Sequence, residues 1–358
     1  MKKRRTLKLL AVNLTILMTL LVFVELIFGA WIFKDKQLAF FGVSPNMNEQ
    51  FEITFYTETP VTVRHTRDQY GLRGQNSFNQ PEKIDILTIG GSTTFQKFID
   101  DADTWESHLE DKLKAAGKSL IISNAGINGH STHAHIKAFD LWLSNIEHLK
   151  PRYILFYIGI NDFLPRPFLL SGNTENSPIK AALQGNSIIY NALRRAKGAY
   201  MAKKNEFESN VDFSQHEFNS TTLLTAEYRE FYLNEFIPAF KQRQQKLIDL
   251  SLAMGAEPVF ITQPMALYRF EEGKLSGVAA PLYDYVTRQA LTGVDCYELI
   301  SHVNKAMHEV CGQKFKIIEL TSLQIWKTED FHDWFHNTPK GTQKVADEIW
   351  KQLGFYLH

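Results

Sequence analysis

From residue 84 onward, short apolar runs alternate with segments of helical spacing, and this alternation restricts the fold more than any other feature of the chain. "IDILTIG" (84–90) is apolar without a clear period, as suits a strand covered on both faces. "TWESHLEDKLKAAGK" then sets Trp105, Leu109 and Leu113 at helical spacing, with Thr104 as N-cap and Gly117 at the end. "SLIISNAG", "YILFYIG", "EPVFITQP" and "FKIIEL" read as four more strands. Helices are expected in "STHAHIKAFDLWLSNIEHLK", limited by Pro151, from about Thr225 to Met254, and over most of 281–311. "KGTQKVADEIWKQLG" is the last helix, with Thr338 as N-cap and Pro339 at its first position. The pattern implies an α/β fold, a mainly parallel sheet with helices on both faces. In such sheets ligands bind beyond the carboxyl ends of the strands.

Ahead of this region the chain has a different character. "MKKRRTLK" precedes an apolar run over 9–33, long enough for the roughly 20 residues a bilayer core requires. A cleaved secretory signal has a shorter core and a small-residue cleavage site, which "FGAWIFKDK" lacks. The expectation is an uncleaved transmembrane anchor (9–33) behind a basic cytoplasmic tail (1–8). The rest would lie outside the cytoplasmic (inner) membrane, in the periplasm of a Gram-negative host. Glu25 inside the run is costly in lipid. It either reaches toward water at the outer end or pairs helices in an oligomer. Residues 34–80 form an extracytoplasmic lead-in with one or two strands, and "DQYGLRG" reads as a turn. The main domain is expected over 81–358, with an insertion at about 163–221 carrying some helix and acting as a lid or cap.

A formal net charge of zero gives no footing for nucleic acid as a partner. Cys296 and Cys311 are the only cysteines; they form either a disulfide or two buried thiols, and their spacing does not choose.

The segments after the strands carry the chemistry. "GGSTT" follows the first strand, with Ser92; "NAGINGHST" follows the second, with Gly129; "GINDF" follows the third, with Asn161. "DFHDWFHNTPKG" follows the fifth after a short loop, with Asp333 and His336. Acyl transfer calls for this set. A serine hydroxyl attacks only when a base takes its proton, and His336 is that candidate. Asp333 can fix the histidine's tautomer and stabilise its charged form. The N–H groups of Ser92 and Gly129 and the Asn161 side-chain amide can face an oxyanion. Glycine at 129 would let the backbone approach closely.

These four blocks, in this order, resemble the SGNH (GDSL-type) hydrolase superfamily, over about residues 84–354. The resemblance implies a flavodoxin-like three-layer sandwich with a five-stranded, mainly parallel sheet. It implies Ser92 as nucleophile, Asp333 and His336 as its partners, and Ser92, Gly129 and Asn161 as the oxyanion hole. No cofactor and no metal are expected. The chain departs from the family at Gly91, where an aspartate is usual, but membrane-anchored members with "GGST" are similar to it there.

His130 and Trp334 are candidates for the substrate pocket. His133 and His135, two apart, do not share a helix face and so do not read as metal ligands. Asp162 is expected in a structural turn, and His332 in solvent ahead of the alternative that it flanks the Asp333–His336 pair. Asp68 and Arg73 either pair locally or brace the catalytic loop. Three functions compete. The first is a membrane-anchored serine esterase acting on an acylated substrate such as envelope carbohydrate. The second is an O-acyltransferase with the same triad, and the third a non-catalytic scaffold.

Overall fold

The computed structural model describes the chain except at positions 1, 33–35, 55, 58, 167–168, 170–177, 205–210, 285, 355 and 358. The chain divides into two compact units. One comprises Met1–Ser44 with Glu175–Phe207, the other Pro45–Thr174 with Glu208–His358.

The larger unit is built on five parallel strands: β1 (Ile86–Gly90), β2 (Ile122–Asn124), β3 (Tyr153–Tyr157), β4 (Glu257–Ile261) and β5 (Ile317–Ile318). Their order across the sheet is β2-β1-β3-β4-β5, the flavodoxin-like arrangement, with the reversal of strand order between β1 and β3. Ile86 aligns with Ile122 on one side and Tyr153 on the other, so β1 is central. Every residue of β1 and β3 is buried, which is why neither run shows a period of two. On one face Ile86, Leu155, Val259 and Ile261 pack against Trp105, Leu109, Val345 and Ile349 of helices Trp105–Ala115 and Pro339–Leu353. Helices Thr132–Leu141, Ile237–Ala253 and Gly293–Cys311 form the third layer. Thr104 caps the first of these five helices through Ser107 N (3.1 Å), and Thr338 caps the last through Gly341 N (3.3 Å), both as the sequence predicts.

Several elements differ from expectation. The helix from Thr132 ends at Leu141, well short of Pro151. There Trp142 leaves helical geometry and its indole N–H donates to Tyr70 O (2.7 Å). The long helix near 225–254 is interrupted by a π-turn, Tyr232–Phe236. Pro238 has no N–H to give and would crowd the carbonyl four residues earlier, so the preceding turn widens. The helix expected over 281–311 begins only at Gly293, behind a capping box of Thr292 and Asp295. An unanticipated hairpin, Tyr268–Glu271 with Lys274–Val278, turns through Glu272 (φ 49°) and Gly273 (φ 78°).

Cys296 and Cys311 are both free and buried. They lie near opposite ends of one helix, Gly293–Cys311, so their separation is about 22 Å, far beyond disulfide reach. A reductant should therefore leave the melting temperature unchanged; a drop of several degrees would contradict the thiol assignment.

In the smaller unit the N-terminal helix runs Lys2–Phe28 and contains an apolar stretch, Lys8–Phe28, with mean hydropathy 2.4. Its 21 residues reach about 32 Å, enough to cross a hydrocarbon core. The helix stops before residue 33. Gly29 N still bonds Glu25 O (2.8 Å), but Ala30 N turns to Asn186 O (2.8 Å). Within the insertion, helices Pro178–Asn186 and Ile188–Lys204 belong to this unit.

Candidate active site

β1 runs through Gly91 into a single helical turn, Ser92–Phe95, whose first N–H groups precede any carbonyl of the turn that could accept them. The Ser92 N–H is one of them. Thr94 N and Phe95 N both donate to Gly91 O (3.1 and 2.9 Å), so the turn is wound tightly on the strand end. Gln263, just after β4, fixes it further. Its Nε2 donates to Thr93 Oγ1 (2.6 Å) and its Oε1 accepts from Ile160 N (2.8 Å), joining the loops after β1 and β3.

Asn161 stands in the loop after β3. Its Nδ2 donates to His130 O (2.9 Å) from the loop after β2. A Cβ placed on Gly91 would lie 2.1 Å from Asn161 Nδ2 and 3.1 Å from His130 O. The three loops therefore meet against the backbone that precedes Ser92. The usual aspartate has no room at 91 while Asn161 keeps this position. Gly91 has φ −85°, so the requirement is for space and not for a special dihedral. Gly129 is the opposite case. Its φ is +74° and a Cβ there would meet nothing within 4 Å. The glycine serves the left-handed backbone, not the close approach the sequence suggested.

Asp162 is buried and structural. It accepts from Thr132 N (3.1 Å) and Thr132 Oγ1 (2.6 Å), which holds the start of helix Thr132–Leu141. Arg243 Nε donates to the same hydroxyl (2.8 Å) and its guanidinium lies 3.9 Å from the carboxylate. Burial raises the Asp162 carboxyl, with Arg243 opposing.

Asp333 and His336 meet as expected. His336 Nδ1 lies 2.6 Å from Asp333 Oδ2, while Asp333 Oδ1 accepts from Phe335 N and His336 N (both 2.8 Å). His332 N donates to His336 O (2.9 Å), closing the loop into a small ring. Burial works against the Asp333 charge, but the hydrogen bond and charge of His336 bring its carboxyl below the ordinary value. No hydrogen bond joins Ser92 to His336 in this structure. Unliganded catalytic contacts are often long and tighten when substrate binds.

His332 is not in solvent. It is 6% exposed, its ring lies parallel to that of His336 (5.6 Å, 13°), and its Nδ1 is 3.8 Å from Asp333 Oδ2. The ring nitrogens of His332 and His336 and the Asp333 carboxylate lie within 4.8 Å of one another, and that carboxylate is already engaged by His336 Nδ1 and two backbone N–H groups. Of the pocket candidates, His130 is half-buried beside His135 (5.9 Å). Trp334 packs edge-on against Phe213 (5.3 Å) and His216 (4.7 Å).

A polar network beneath the Ser92 turn escaped the sequence reading. Glu106, 4% exposed, accepts from Thr88 Oγ1 (2.9 Å), Asn124 Nδ2 (2.8 Å) and Gln96 Nε2 (2.6 Å). Arg73 does not pair with Asp68. Its Nε donates to Asp101 Oδ1 (2.7 Å), and its terminal nitrogens donate to Phe95 O (3.0 Å), Gln96 O (3.1 Å) and Ile99 O (2.6 Å). Arg73 thus braces the loop that leaves the Ser92 turn. Burial pushes the Glu106 carboxyl up to about 7 from 4.5, against its hydrogen bonds. The folded protein keeps this proton where the unfolded chain has lost it. Stability due to Glu106 therefore falls as pH rises from about 4.5 to about 7. Glu106→Gln, fixed in the neutral state, should flatten that fall, whatever constant offset it adds. Urea midpoints measured at about pH 5 and 8 check this; an equal fall in both proteins would place the titration elsewhere.

The family model for GDSL-like lipase/acylhydrolase matches residues 86–349. No curated protein matches the chain significantly. Among solved structures, the psychrotrophic esterase EstA from Pseudoalteromonas sp. is 11% identical, covering 76% of this chain and 97% of its own, with TM-score 0.39. The acetyl xylan esterase AlAXEase is 13% identical, with coverage of 75% and 98% and TM-score 0.40. A member of the lipolytic protein G-D-S-L family from Veillonella parvula is 12% identical, with coverage of 75% and 97% and TM-score 0.40. Likenesses this distant carry nothing about substrate.

Proposed function

We propose, for a chain that belongs to the GDSL-like lipase/acylhydrolase family and is a hydrolase acting on ester bonds, that catalysis proceeds through an acyl-enzyme on Ser92. The observation that carries the reading is the paired Asp333–His336 loop, together with Asn161 and His130 packed against the backbone before Ser92. Ser92 Oγ attacks the ester carbonyl carbon and its proton passes to His336 Nε2. Asp333 accepts a hydrogen bond from the Nδ1–H group and stabilises the imidazolium. The developing oxyanion takes hydrogen bonds from Ser92 N–H, Gly129 N–H and the second Asn161 Nδ2 hydrogen, the first being held by His130 O. The C–O bond then breaks and the alcohol leaves with the proton from His336. Water, deprotonated by the same histidine, releases the acid and restores Ser92.

In this reading Lys8–Phe28 anchors the enzyme with its N-terminus in the cytoplasm and its catalytic unit outside, where acylated carbohydrate is the substrate class. A fluorophosphonate probe on the purified protein tests the nucleophile. Labelling at Ser92 that disappears in His336→Ala is expected; a folded protein that takes no label would leave the scaffold reading in its place. Product analysis with an acylated oligosaccharide separates hydrolysis from acyl transfer, with free acid expected.

A further inference from the structure

Glu25 is an acid inside the apolar span, and the structure gives it a task. Its carboxylate accepts from Ser187 Oγ (2.6 Å), Ile189 N (3.1 Å) and Ile188 N (3.3 Å). These are the groups at the open start of helix Ile188–Lys204, so Glu25 caps that helix from another segment. Trp31 Nε1 donates to the same carboxylate (2.8 Å). Around this latch Ala30 N bonds Asn186 O (2.8 Å) and Gln37 Nε2 bonds Asn186 Oδ1 (2.9 Å). A Cβ on Gly29 would lie 2.4 Å from Glu25 O and 2.8 Å from Asn186 O, so the approach requires glycine.

The latched segment is chemically unlike the rest of the chain. Residues 178–204 carry Lys180, Arg194, Arg195, Lys197, Lys203 and Lys204 and no acid, in a protein whose formal net charge is zero. Ile179 and Leu193 are 75% and 66% exposed. Basic helices with exposed apolar side chains lie in the headgroup layer of anionic bilayers. The latch sits at the last turn of a span that ends at Phe28, where the chain leaves the hydrocarbon, and Trp31 is of the residue type that favours that boundary.

We infer that helices Pro178–Asn186 and Ile188–Lys204 are a second membrane contact, seated on an anionic phospholipid surface and held to the spanning helix by Glu25. The inference rests on the anchor reading above, and the experiment separates the two. The full chain, with Cys296→Ala and Cys311→Ala, is reconstituted in phosphatidylglycerol/phosphatidylcholine vesicles. Single nitroxide labels are placed at Leu17, Ile179, Leu193 and Glu147. Oxygen and a water-soluble nickel chelate compete to relax each label. Leu17, Ile179 and Leu193 should each show an oxygen-to-nickel ratio several-fold above that of Glu147. A low ratio at Leu17 removes the anchor. A high ratio at Leu17 with Glu147-like ratios at Ile179 and Leu193 leaves the anchor and overturns the second contact. Line broadening at Leu193 that disappears on dilution with unlabelled protein would make a second copy the occupant and equally overturn it. Glu25→Ala should lower the Leu193 ratio severalfold without moving Leu17, and Ser187→Ala should lower it less. No change at Leu193 in either variant overturns the latch. Pure phosphatidylcholine should also lower the ratio, and an unchanged value would overturn the anionic requirement.

Discussion

Ser92→Ala should lower kcat for p-nitrophenyl acetate on the order of ten-thousand- to million-fold, with circular dichroism unchanged. Ser92 is half-buried in a short turn, and a smaller side chain there removes few contacts. His336→Ala should cost a similar factor, because the hydroxyl then has no base. The double variant should be no worse than either single one. Nucleophile and base act as one unit, and once it is disabled, removing its other half has nothing left to remove. Ser92→Ala with more than a tenth of wild-type activity would end the acyl-enzyme reading. Singles that multiply in the double would separate the two side chains into independent roles.

Restoring the family's usual aspartate, Gly91→Asp, should lower kcat roughly hundred- to thousand-fold, the loss expected for one oxyanion donor, about 3–4 kcal/mol. The cause is steric. Any Cβ at 91 falls 2.1 Å from Asn161 Nδ2, and that amide is held by His130 O, so it must leave its place. Gly91→Ala isolates the effect without a charge. In an Asn161→Ala background Gly91→Ala should cost far less, since the atom it displaces is gone and only the 3.1 Å approach to His130 O remains. That non-additivity distinguishes displacement of Asn161 from general damage to the turn. Full activity in Gly91→Ala would show that Asn161 has another position from which to work.

The five strands were legible because a buried parallel strand leaves a plain mark: a short apolar run between turn residues, as in Ile86–Gly90. The caps Thr104 and Thr338 were legible because their chemistry is local. The contacts of Asp333 with His336 and of Asn161 with the loop after the second strand bring together segments that the sequence singled out, since the fold itself sends these loops to the strand ends. What was missed depends on partners far away in the chain. Glu106 in the first turn of a helix reads as an ordinary solvated acid, yet Thr88, Gln96 and Asn124 bury it. His332 beside the Asp333 loop reads as surface until Phe98 and Tyr56 are seen against its ring. The disulfide question turned on whether both cysteines share one helix, which spacing alone does not say. Pro238 was visible, but a proline can kink, end or widen a helix, and here it widens the turn before it.

The division of the chain has a practical consequence. Because Glu175–Phe207 folds with Met1–Ser44, the polypeptide crosses between the two units three times, at 44/45, 174/175 and 207/208. Truncation at Pro45, which removes the apolar helix, would strand a basic helical pair without Glu25, Ala30 and Gln37. The exposed Ile179 and Leu193 would then invite aggregation. Isolating the larger unit calls for two excisions, the N-terminal 44 residues and the 175–207 segment, with a flexible linker in place of the latter.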